Sequence, residues 1–269
     1  MNKTLCLSLC LLAGAATLSA QQRSAVDQVN PIIGTNKMGH VFPGACVPHG
    51  IVALSPDTDT IPHNIDGVYQ PRAYEYCAGY QHKDSTIVGF SHTHFSGTGH
   101  SDLGDILIMP TTGALKLNPG TATDPDAGYR SRFSHDTEIA TPGYYEVMLD
   151  DYGVKAQLTA TERTGVHRYT YPADADTSRI ILDMNHAIYN YDGKVLWASV
   201  QVVNDSTLVG YRITNGWARA NYTYFAMKFS KPFNNYGYID HKKPKYMGHL
   251  AKFKPNRNFP DIQGRQIVC

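Results

Sequence analysis

The clearest signal of secondary structure lies between Tyr144 and Thr170, in the sequence YYEVMLDDYGVKAQLTATERTGVHRYT. In its centre, apolar and polar residues alternate one by one from Val154 to Thr161. Successive side chains of a β-strand point to opposite faces, so this period of two predicts a strand with one buried face and one wet face. The turn-forming run Asp150 to Gly153 separates it from a preceding strand, Tyr144 to Leu149. The stretch therefore predicts consecutive strands joined by turns.

The same alternation recurs through the rest of the second half of the chain. It predicts strands at Val166 to Tyr171, Ile180 to Met184, Leu196 to Val203, Leu208 to Thr214 and Tyr222 to Phe229. No stretch repeats apolar residues at the helical spacing of three and four. Residues 29–137 are rich in Gly, Pro, His and Ser, which indicates strands joined by long functional loops. We expect an all-β fold, an antiparallel β-sandwich with long loops and little helix.

Composition and charge narrow the function classes. The 269 residues are 42% hydrophobic and 11% aromatic, enough for one large domain or two small ones. A net charge of +1 without clustered Lys and Arg argues against binding to nucleic acid or to an anionic membrane surface. The two cysteines Cys46 and Cys77 could form a bridge or be two small buried hydrophobic residues, and both interpretations stay open.

The N-terminus has the pattern of a secretory signal peptide, residues 1–20. Lys3 precedes an apolar run from Leu5 to Leu18, and the small residues Ser19 and Ala20 follow. The run is too short for a confident membrane span, which needs roughly 20 apolar residues. We expect a secreted or periplasmic protein without a membrane span in the mature chain.

The densest group of reactive side chains lies between Gly89 and Ile106. If residues 90–95 are extended, His92 and His94 share one face of the strand, and they could bind zinc together with His100 or Asp102. Alternatively, these side chains hydrogen-bond to loop backbone and to sugar hydroxyls. Both readings stay open at this point.

Two other chemistries find no support in the same segment. No Gly-x-Ser-x-Gly nucleophile elbow is present, and nothing marks Ser96 as an activated nucleophile. A phosphate-binding loop is excluded because no Lys follows the glycines and no helix is predicted after them. The nearby tyrosines Tyr74, Tyr76 and Tyr80 could stack on sugar rings or belong to sheets.

Several long motifs resemble glycoside hydrolase family 92. They are Val29 to Thr35, Gly39 to Ala45, Leu54 to Asp57, Gly79 to Asp105 with its core GFSHTHFSG, and Tyr145 to Tyr169. Because they occur in the family's order over nearly all of the mature chain, they are more specific than any one of them. The resemblance is to the first, N-terminal domain of that family.

The resemblance implies a secreted, calcium-dependent, inverting exo-α-mannosidase that acts on α-mannoside glycans such as N-glycans. In that family an N-terminal supersandwich of the galactose-mutarotase type precedes a C-terminal (α/α)6 barrel. An inverting reaction needs a general acid and a general base. Both of these carboxylates, and the calcium ligands, belong to the barrel. The resemblance thus implies a β-sandwich at 21–240, the start of a linker at 241–269, and a missing catalytic domain outside this chain.

The resemblance also implies which residues line the sugar pocket, while individual contacts stay open. The implied substrate-binding residues are His92, His94, Ser96, Gly97, Asp102, Asp105 and Gly44. His100 departs from the family pattern in the same loop. Two rival hypotheses are a free-standing carbohydrate-binding module and a small metallohydrolase that uses His92, His94 and Asp102.

Overall fold

The computed structural model describes residues 24–59, 61–62, 64–100, 102–188, 191, 193–240, 261–262 and 264–268. The predicted signal peptide, residues 1–20, lies outside this range. Residues 24–30 carry a short 3-10 helix, Ala25–Gln28, whose first turn is closed by a capping box between Ser24 and Asp27.

Nineteen strands carry the described part of the chain. They are β1 (Ala45–Cys46), β2 (Ala53–Asp57), β3 (Asn64–Ile65), β4 (Val68–Tyr69), β5 (Thr86–Ile87), β6 (Gly89–Ser91), β7 (Leu107–Thr112), β8 (Ser131–Arg132), β9 (Ile139–Thr141), β10 (Tyr144–Leu149), β11 (Val154–Ala160), β12 (Gly165–Thr170), β13 (Ser178–Asp183), β14 (Val195–Asn204), β15 (Thr207–Thr214), β16 (Asn221–Lys228), β17 (Gly237–Asp240), β18 (Asp261–Ile262) and β19 (Gly264–Val268). Helix occurs in the same residues only as short 3-10 turns: Ala25–Gln28, Lys37–Gly39, Pro71–Tyr76, Pro125–Ala127 and His135–Thr137.

The strands form three larger antiparallel sheets. The central sheet has seven strands in the order β1-β2-β6-β7-β13-β19-β17. One four-stranded sheet has the order β12-β11-β10-β9, and the other has the order β16-β15-β14-β18. Two short two-stranded pairs, β3-β4 and β5-β8, complete the set. The predicted all-β, antiparallel sandwich with little helix is confirmed.

The central sheet separates two hydrophobic cores. Leu107 and Met109 of β7 belong to the core shared with β10 and β11, whereas Ile108 between them belongs to the core shared with β14 and β15. Ile181 and Leu182 of β13 divide in the same way. Because neighbouring side chains alternate across a sheet, a strand covered on both faces must be apolar at successive positions. This explains why β7 begins as an unbroken apolar run.

The outer sheets show the one-sided alternation instead. In β11 the residues from Val154 to Ala160 alternate between buried and more exposed positions. The register pairs Tyr145 with Leu158 and Val147 with Ala156, so their buried side chains add to one core. Each of the seven strands predicted from alternation is present, with ends shifted by no more than two residues.

The last strands fall within the stretch that the sequence analysis assigned to the start of a linker, residues 241–269. Strand β19 lies between β13 and β17 in the central sheet, and β18 pairs with β14. Residues 241–260 lie outside the described part. Cys46 is an exposed free thiol and Cys77 is buried, so these two cysteines do not bridge. Among the described residues, no helix has the length and apolar character needed to cross a membrane.

Candidate functional site

The segment between β6 and β7, residues 92–106, forms a long excursion that we call the glycine-rich loop. Its two ends are held together by backbone hydrogen bonds from His92 N to Asp105 O (2.9 Å) and from Gly104 N to Thr93 O (2.8 Å). The Thr93 hydroxyl adds a bond to the Asp105 carboxylate at 2.7 Å. The base of the loop is therefore rigid, and its middle portion projects from the sheet.

His94 lies inward from the loop, in a buried ion pair. Its Nε2 atom is 2.9 Å from Oδ1 of Asp57, and its Nδ1 atom donates to the carbonyl oxygen of Ala53 at 2.6 Å. The second oxygen of Asp57 faces Nε2 of His186 at 2.6 Å. Burial alone would raise the pKa of Asp57, but His94 and His186 together hold that pKa well below its usual range. Both nitrogens of His94 thus bond within the protein.

His92 belongs to a different chain of hydrogen bonds. Its Nδ1 atom donates to the carbonyl oxygen of Ile106 at 2.7 Å, so its Nε2 atom accepts from Nε2 of His167 at 2.9 Å. The Tyr169 hydroxyl in turn donates to Nδ1 of His167 at 2.7 Å. Burial lowers the pKa of His92 to about 4 and the pKa of His167 well below its ordinary value. Both rings are therefore neutral at pH 7.

These two arrangements test the hypothesis that the His-x-His motif binds zinc. Strand β6 ends at Ser91, and the rings of His92 and His94 bond to separate sets of partners. Neither ring keeps a nitrogen for a metal shared with Asp102, so the zinc-hydrolase alternative has no geometric support. The implied role of His92 and His94 in contacting a sugar stays a prediction.

Asp105 anchors the loop to the outer sheet. Its Oδ1 atom accepts from Nε of Arg212 on β15 at 2.7 Å, and Arg212 is fully buried. The guanidinium group also donates to the carbonyl oxygens of Gly104, Met184 and His186. Burial would raise the pKa of Asp105, but the Arg212 charge lowers it below its ordinary value. The predicted site residue Asp105 is thus part of a buried charge network.

Asp102 makes the corresponding anchor nearer the tip of the loop. Its Oδ1 atom accepts from Nζ of Lys194 at 2.6 Å, and Lys194 is itself buried. Its Oδ2 atom accepts from the backbone N–H of Trp217 at 3.0 Å. A Cβ at Gly216 would lie 1.5 Å from Oδ1 of Asp102, so only glycine allows this close approach. Asp102 therefore fixes the position of Trp217.

The remaining predicted residues divide between core and surface. Gly44 is buried, and a Cβ there would lie 2.2 Å from the Leu54 carbonyl oxygen, so Gly44 allows close packing against β2. Ser96 and Gly97 are exposed at the tip of the glycine-rich loop. Gly97 has a φ of +72°, the left-handed region that favours glycine, and its N–H donates to the His40 carbonyl oxygen.

An aromatic surface surrounds this tip, and we call it the aromatic rim: Tyr74, Phe95, His100 and Trp217. Trp217 is 69% exposed, and the His100 ring stacks on it at 4.0 Å between centroids with an interplanar angle of 7°. Phe95 lies 6.2 Å from the same indole. Tyr74 packs so closely on Gly99 that a Cβ there would meet its hydroxyl. Such rings offer flat apolar faces with polar edges, which suits a sugar ring.

Comparisons with known proteins identify the family of the chain. The model of the glycosyl hydrolase family 92 N-terminal domain matches residues 28–266. The chain belongs to this family. The resemblance noted in the sequence, to the N-terminal domain of family 92, is therefore confirmed.

Solved structures of family 92 proteins share the fold. The family GH92 α-mannosidase BT3965 from Bacteroides thetaiotaomicron, in complex with mannoimidazole, is 40% identical, covering 90% of this chain and 31% of its own, with a TM-score of 0.73. A second structure of the same α-mannosidase is 39% identical, covers 93% of this chain and 33% of its own length, and has a TM-score of 0.74. The GH92 family glycosyl hydrolase ccman5 is 24% identical over 91% of this chain and 30% of its own, with a TM-score of 0.68, which supports the fold alone.

A curated relative is similar over a shorter region. An uncharacterized secreted glycosidase of Arthroderma benhamiae is 29% identical over 153 residues, 54% of this chain and 17% of that protein. The chain spans about a third of the length of the solved relatives and less than a fifth of the curated one.

Sequence reasoning missed several residues of this candidate site. His186, Lys194 and Arg212 bond to the acids around the loop. Each lies between 92 and 129 positions along the chain from the acid that it faces, and no local pattern marks it. Trp217 follows β15 in the polar run Asn215 to Trp217, and nothing in the sequence analysis gives it a role. A tryptophan in a polar turn was the available signal, because such a position exposes a large apolar ring.

The buried acids around the loop do not fit a calcium site. Calcium takes six to eight oxygen ligands, whereas Asp57 faces two histidines, Asp102 faces Lys194 and Asp105 faces Arg212. In the part of the chain that the structure describes, the oxygens of these carboxylates already bond to nitrogen atoms of side chains. No step of the chemistry below is therefore assigned to calcium held by them.

Proposed function

We propose that this chain is the sugar-facing N-terminal domain of a secreted, calcium-dependent, inverting exo-α-mannosidase. In this proposal the aromatic rim forms one wall of the pocket for α-mannoside glycans. A separate (α/α)6 domain would supply the general acid, the general base and the calcium ligands. The proposal rests on family membership and on the name of the α-mannosidase BT3965, to which the chain is similar. Secretion rests on the predicted signal peptide and on the name of the fungal relative.

The observation that carries the proposal is the exposed stack of Trp217 on His100. A contiguous exposed apolar surface, rather than one exposed ring, is what marks a binding site, and Trp217 is continuous with His100 and Phe95 in the rim. Here Asp102, Lys194 and Gly216 hold it in one position, which lowers the entropy that a ligand must otherwise overcome. A pre-positioned aromatic face of this kind favours a sugar ring as the ligand.

The charge pairs support placing the chemistry outside this chain. Inverting hydrolysis needs one protonated acid and one free carboxylate on opposite sides of the sugar. Asp57, Asp102 and Asp105 are each held in buried ion pairs, so none of them is available to donate or accept a proton at a substrate. Their role in the proposal is to position the loop and Trp217.

Sugar binding tests the proposal directly. The chain has two tryptophans, so a Trp197→Phe background leaves Trp217 as the fluorescent reporter during titration with α-mannobiose. We expect Trp217→Ala to weaken binding at least about tenfold, which corresponds to roughly 1.4 kcal/mol of lost stacking. NMR or calorimetry measures binding for this variant. The matched control is Tyr224→Ala, because Tyr224 is 71% exposed on β16 and stays outside the rim.

Unchanged affinity in Trp217→Ala would contradict the role of the rim. A second measurement separates the enzyme from the rival, a free-standing carbohydrate-binding module, which the same exposed stack also supports. Hydrolysis of α-mannobiose is assayed with and without calcium on the protein made from the whole reading frame. Calcium-dependent release of mannose with inverted configuration supports the enzyme, and sugar binding without hydrolysis supports the module.

A further inference from the structure

A second group of side chains, separate from the glycine-rich loop, has the donor set of a metal site. The group consists of His82, His135 and Glu138, and one ligand atom from each lies within 4.8 Å of the others. Both imidazoles present Nδ1 to the same carboxylate oxygen. Oε2 of Glu138 is 2.6 Å from Nδ1 of His135 and 4.0 Å from Nδ1 of His82.

Local structure brings two of the three ligands together. His135 begins the 3-10 helix His135–Thr137, which is capped by Ser134, and Glu138 follows it immediately. Side chains three residues apart eclipse on a 3-10 turn, so His135 and Glu138 point the same way. The third ligand arrives from a distant loop, where the His82 N–H donates to the Thr35 carbonyl oxygen at 3.0 Å.

The Glu138 carboxylate is buried and is oriented by hydrogen bonds from two tyrosines. The Glu138 side chain is 2% exposed, and its Oε1 atom accepts from the hydroxyls of Tyr80 at 2.8 Å and Tyr145 at 2.7 Å. These two hydroxyls leave the Glu138 carboxylate directed toward the histidines. Hydrogen bonds from a surrounding shell are what orient the ligands of metal sites in proteins.

The side chains that form ion pairs with this buried carboxylate are histidines, which are positively charged only when protonated. The ion pairs that Glu138 makes among the described residues are with His82 and His135, and an imidazole carries charge only when protonated. A buried carboxylate without a compensating charge is unfavourable. A divalent cation between the three ligand atoms would neutralise Glu138 when both rings are neutral.

We propose that His82, His135 and Glu138 bind a divalent transition-metal ion, with zinc as the physiological occupant. Imidazole and carboxylate suit zinc, and two such nitrogens with one oxygen leave the fourth tetrahedral position for water. Metal–ligand distances of about 2.0 to 2.1 Å place tetrahedral ligand atoms roughly 3.3 Å apart. In the structure, Oε2 of Glu138 is closer than this to Nδ1 of His135, at 2.6 Å, and farther than this from Nδ1 of His82, at 4.0 Å. The side chains of His82 and His135 are 40% and 35% exposed, so water and metal reach the site.

Binding shifts a proton within His135 from one ring nitrogen to the other. The Nδ1 hydrogen now directed at Glu138 passes to water while Nε2 takes one from water, so the ring stays neutral and its Nδ1 lone pair and the Glu138 oxygen bind the ion. Nδ1 of His82 completes the protein ligands. Because His82 and Glu138 belong to segments far apart in sequence, the ion cross-links the loop near Thr35 and Gln81 to the start of β9. Its expected role is to stabilise this edge of the domain.

The experiment uses the protein made from its whole reading frame, without a polyhistidine tag, in buffer with calcium present throughout. Zinc chloride is titrated by calorimetry, and cobalt(II) is titrated while the visible absorption of a tetrahedral site is followed. We expect one zinc site in the wild type that is lost in His82→Asn. This variant keeps the His135–Glu138 pair and therefore the fold. The matched control is His49→Asn, at an exposed histidine with a φ of +61° that asparagine also tolerates.

Thermal unfolding gives an independent readout. At zinc one hundred times the dissociation constant, we expect the wild type and His49→Asn to unfold roughly 5 to 10 °C higher than without zinc. His82→Asn should show no shift beyond that caused by metal binding elsewhere. If His82→Asn binds zinc or cobalt as the wild type does, or if the wild type takes up none at about 100 μM, the three residues form a hydrogen-bonded cluster only and the proposal is wrong.

Discussion

Replacing Arg212 with methionine is the sharpest test of how the loop is held. Arg212 is fully buried, bonds to Asp105 and donates to three carbonyl oxygens. Methionine fills much of the same volume but leaves the Asp105 carboxylate buried without its counter-charge. Removing one partner of a buried ion pair costs about 3 to 5 kcal/mol. The total stability of a domain is only about 5 to 15 kcal/mol, so this loss is a large fraction of it.

Urea unfolding followed by circular dichroism measures the loss. With an m value of about 3 kcal/mol/M, the midpoint should fall by roughly 1 to 1.7 M. Arg168→Met, at an exposed position of β12, is the matched control and should change stability by no more than about 0.5 kcal/mol.

A double variant separates the lost charge from the lost packing. Arg212→Met with Asp105→Asn removes both charges, so it should be more stable than Arg212→Met alone. The reasoning would be refuted if Arg212→Met were as stable as Arg168→Met. It would also be refuted if the double variant were no more stable than Arg212→Met.

Two further predictions concern the pKa of His92 and the close packing of Gly44. Burial holds the pKa of His92 at about 4, below its unfolded value of about 6.5, so the folded state binds fewer protons between these two pH values. Stability should therefore fall as the pH drops from about 6.5 to about 4. The fall is up to about 1.4 kcal/mol per pH unit for each such histidine. Urea midpoints measured from pH 7 to pH 4 should show this slope, and His92→Gln with His167→Gln should flatten it. Gly44→Ala places a methyl group 2.2 Å from the Leu54 carbonyl oxygen, and because backbone cannot move aside easily it should lower stability by about 3 kcal/mol or more. Gly97→Ala, with open space around it and only left-handed strain to bear, should lose about 1 to 2 kcal/mol, and an equal loss in both variants by thermal unfolding would speak against a clash at Gly44.

The strands were predictable because their signal is local. In β10 and β11 the polarity of each residue indicates whether its side chain is on the buried or the exposed face of the sheet. This period of two can be recognised without knowing which strand pairs with it. The family motifs were also readable from the sequence alone. The division of β7 and β13 between two cores was not predictable, since an unbroken apolar run does not say which layer covers each face.

The candidate site was harder to predict because its charges pair at long range. The spacing of His92 and His94 suggested one shared ligand, but His94 pairs with Asp57 and His92 with His167, which is 75 positions away. Nothing local marks Lys194 as the partner of Asp102.

The all-β class, the positions of the strands and the family follow from residues that are neighbours in the chain, because side-chain alternation and long motifs are local properties. The buried ion pairs of Asp102 and Asp105 and the exposed stack of Trp217 on His100 appear only once the chain is folded. A charge is tolerated inside a protein when folding brings its partner to it, and that partner can come from any strand of the sheet.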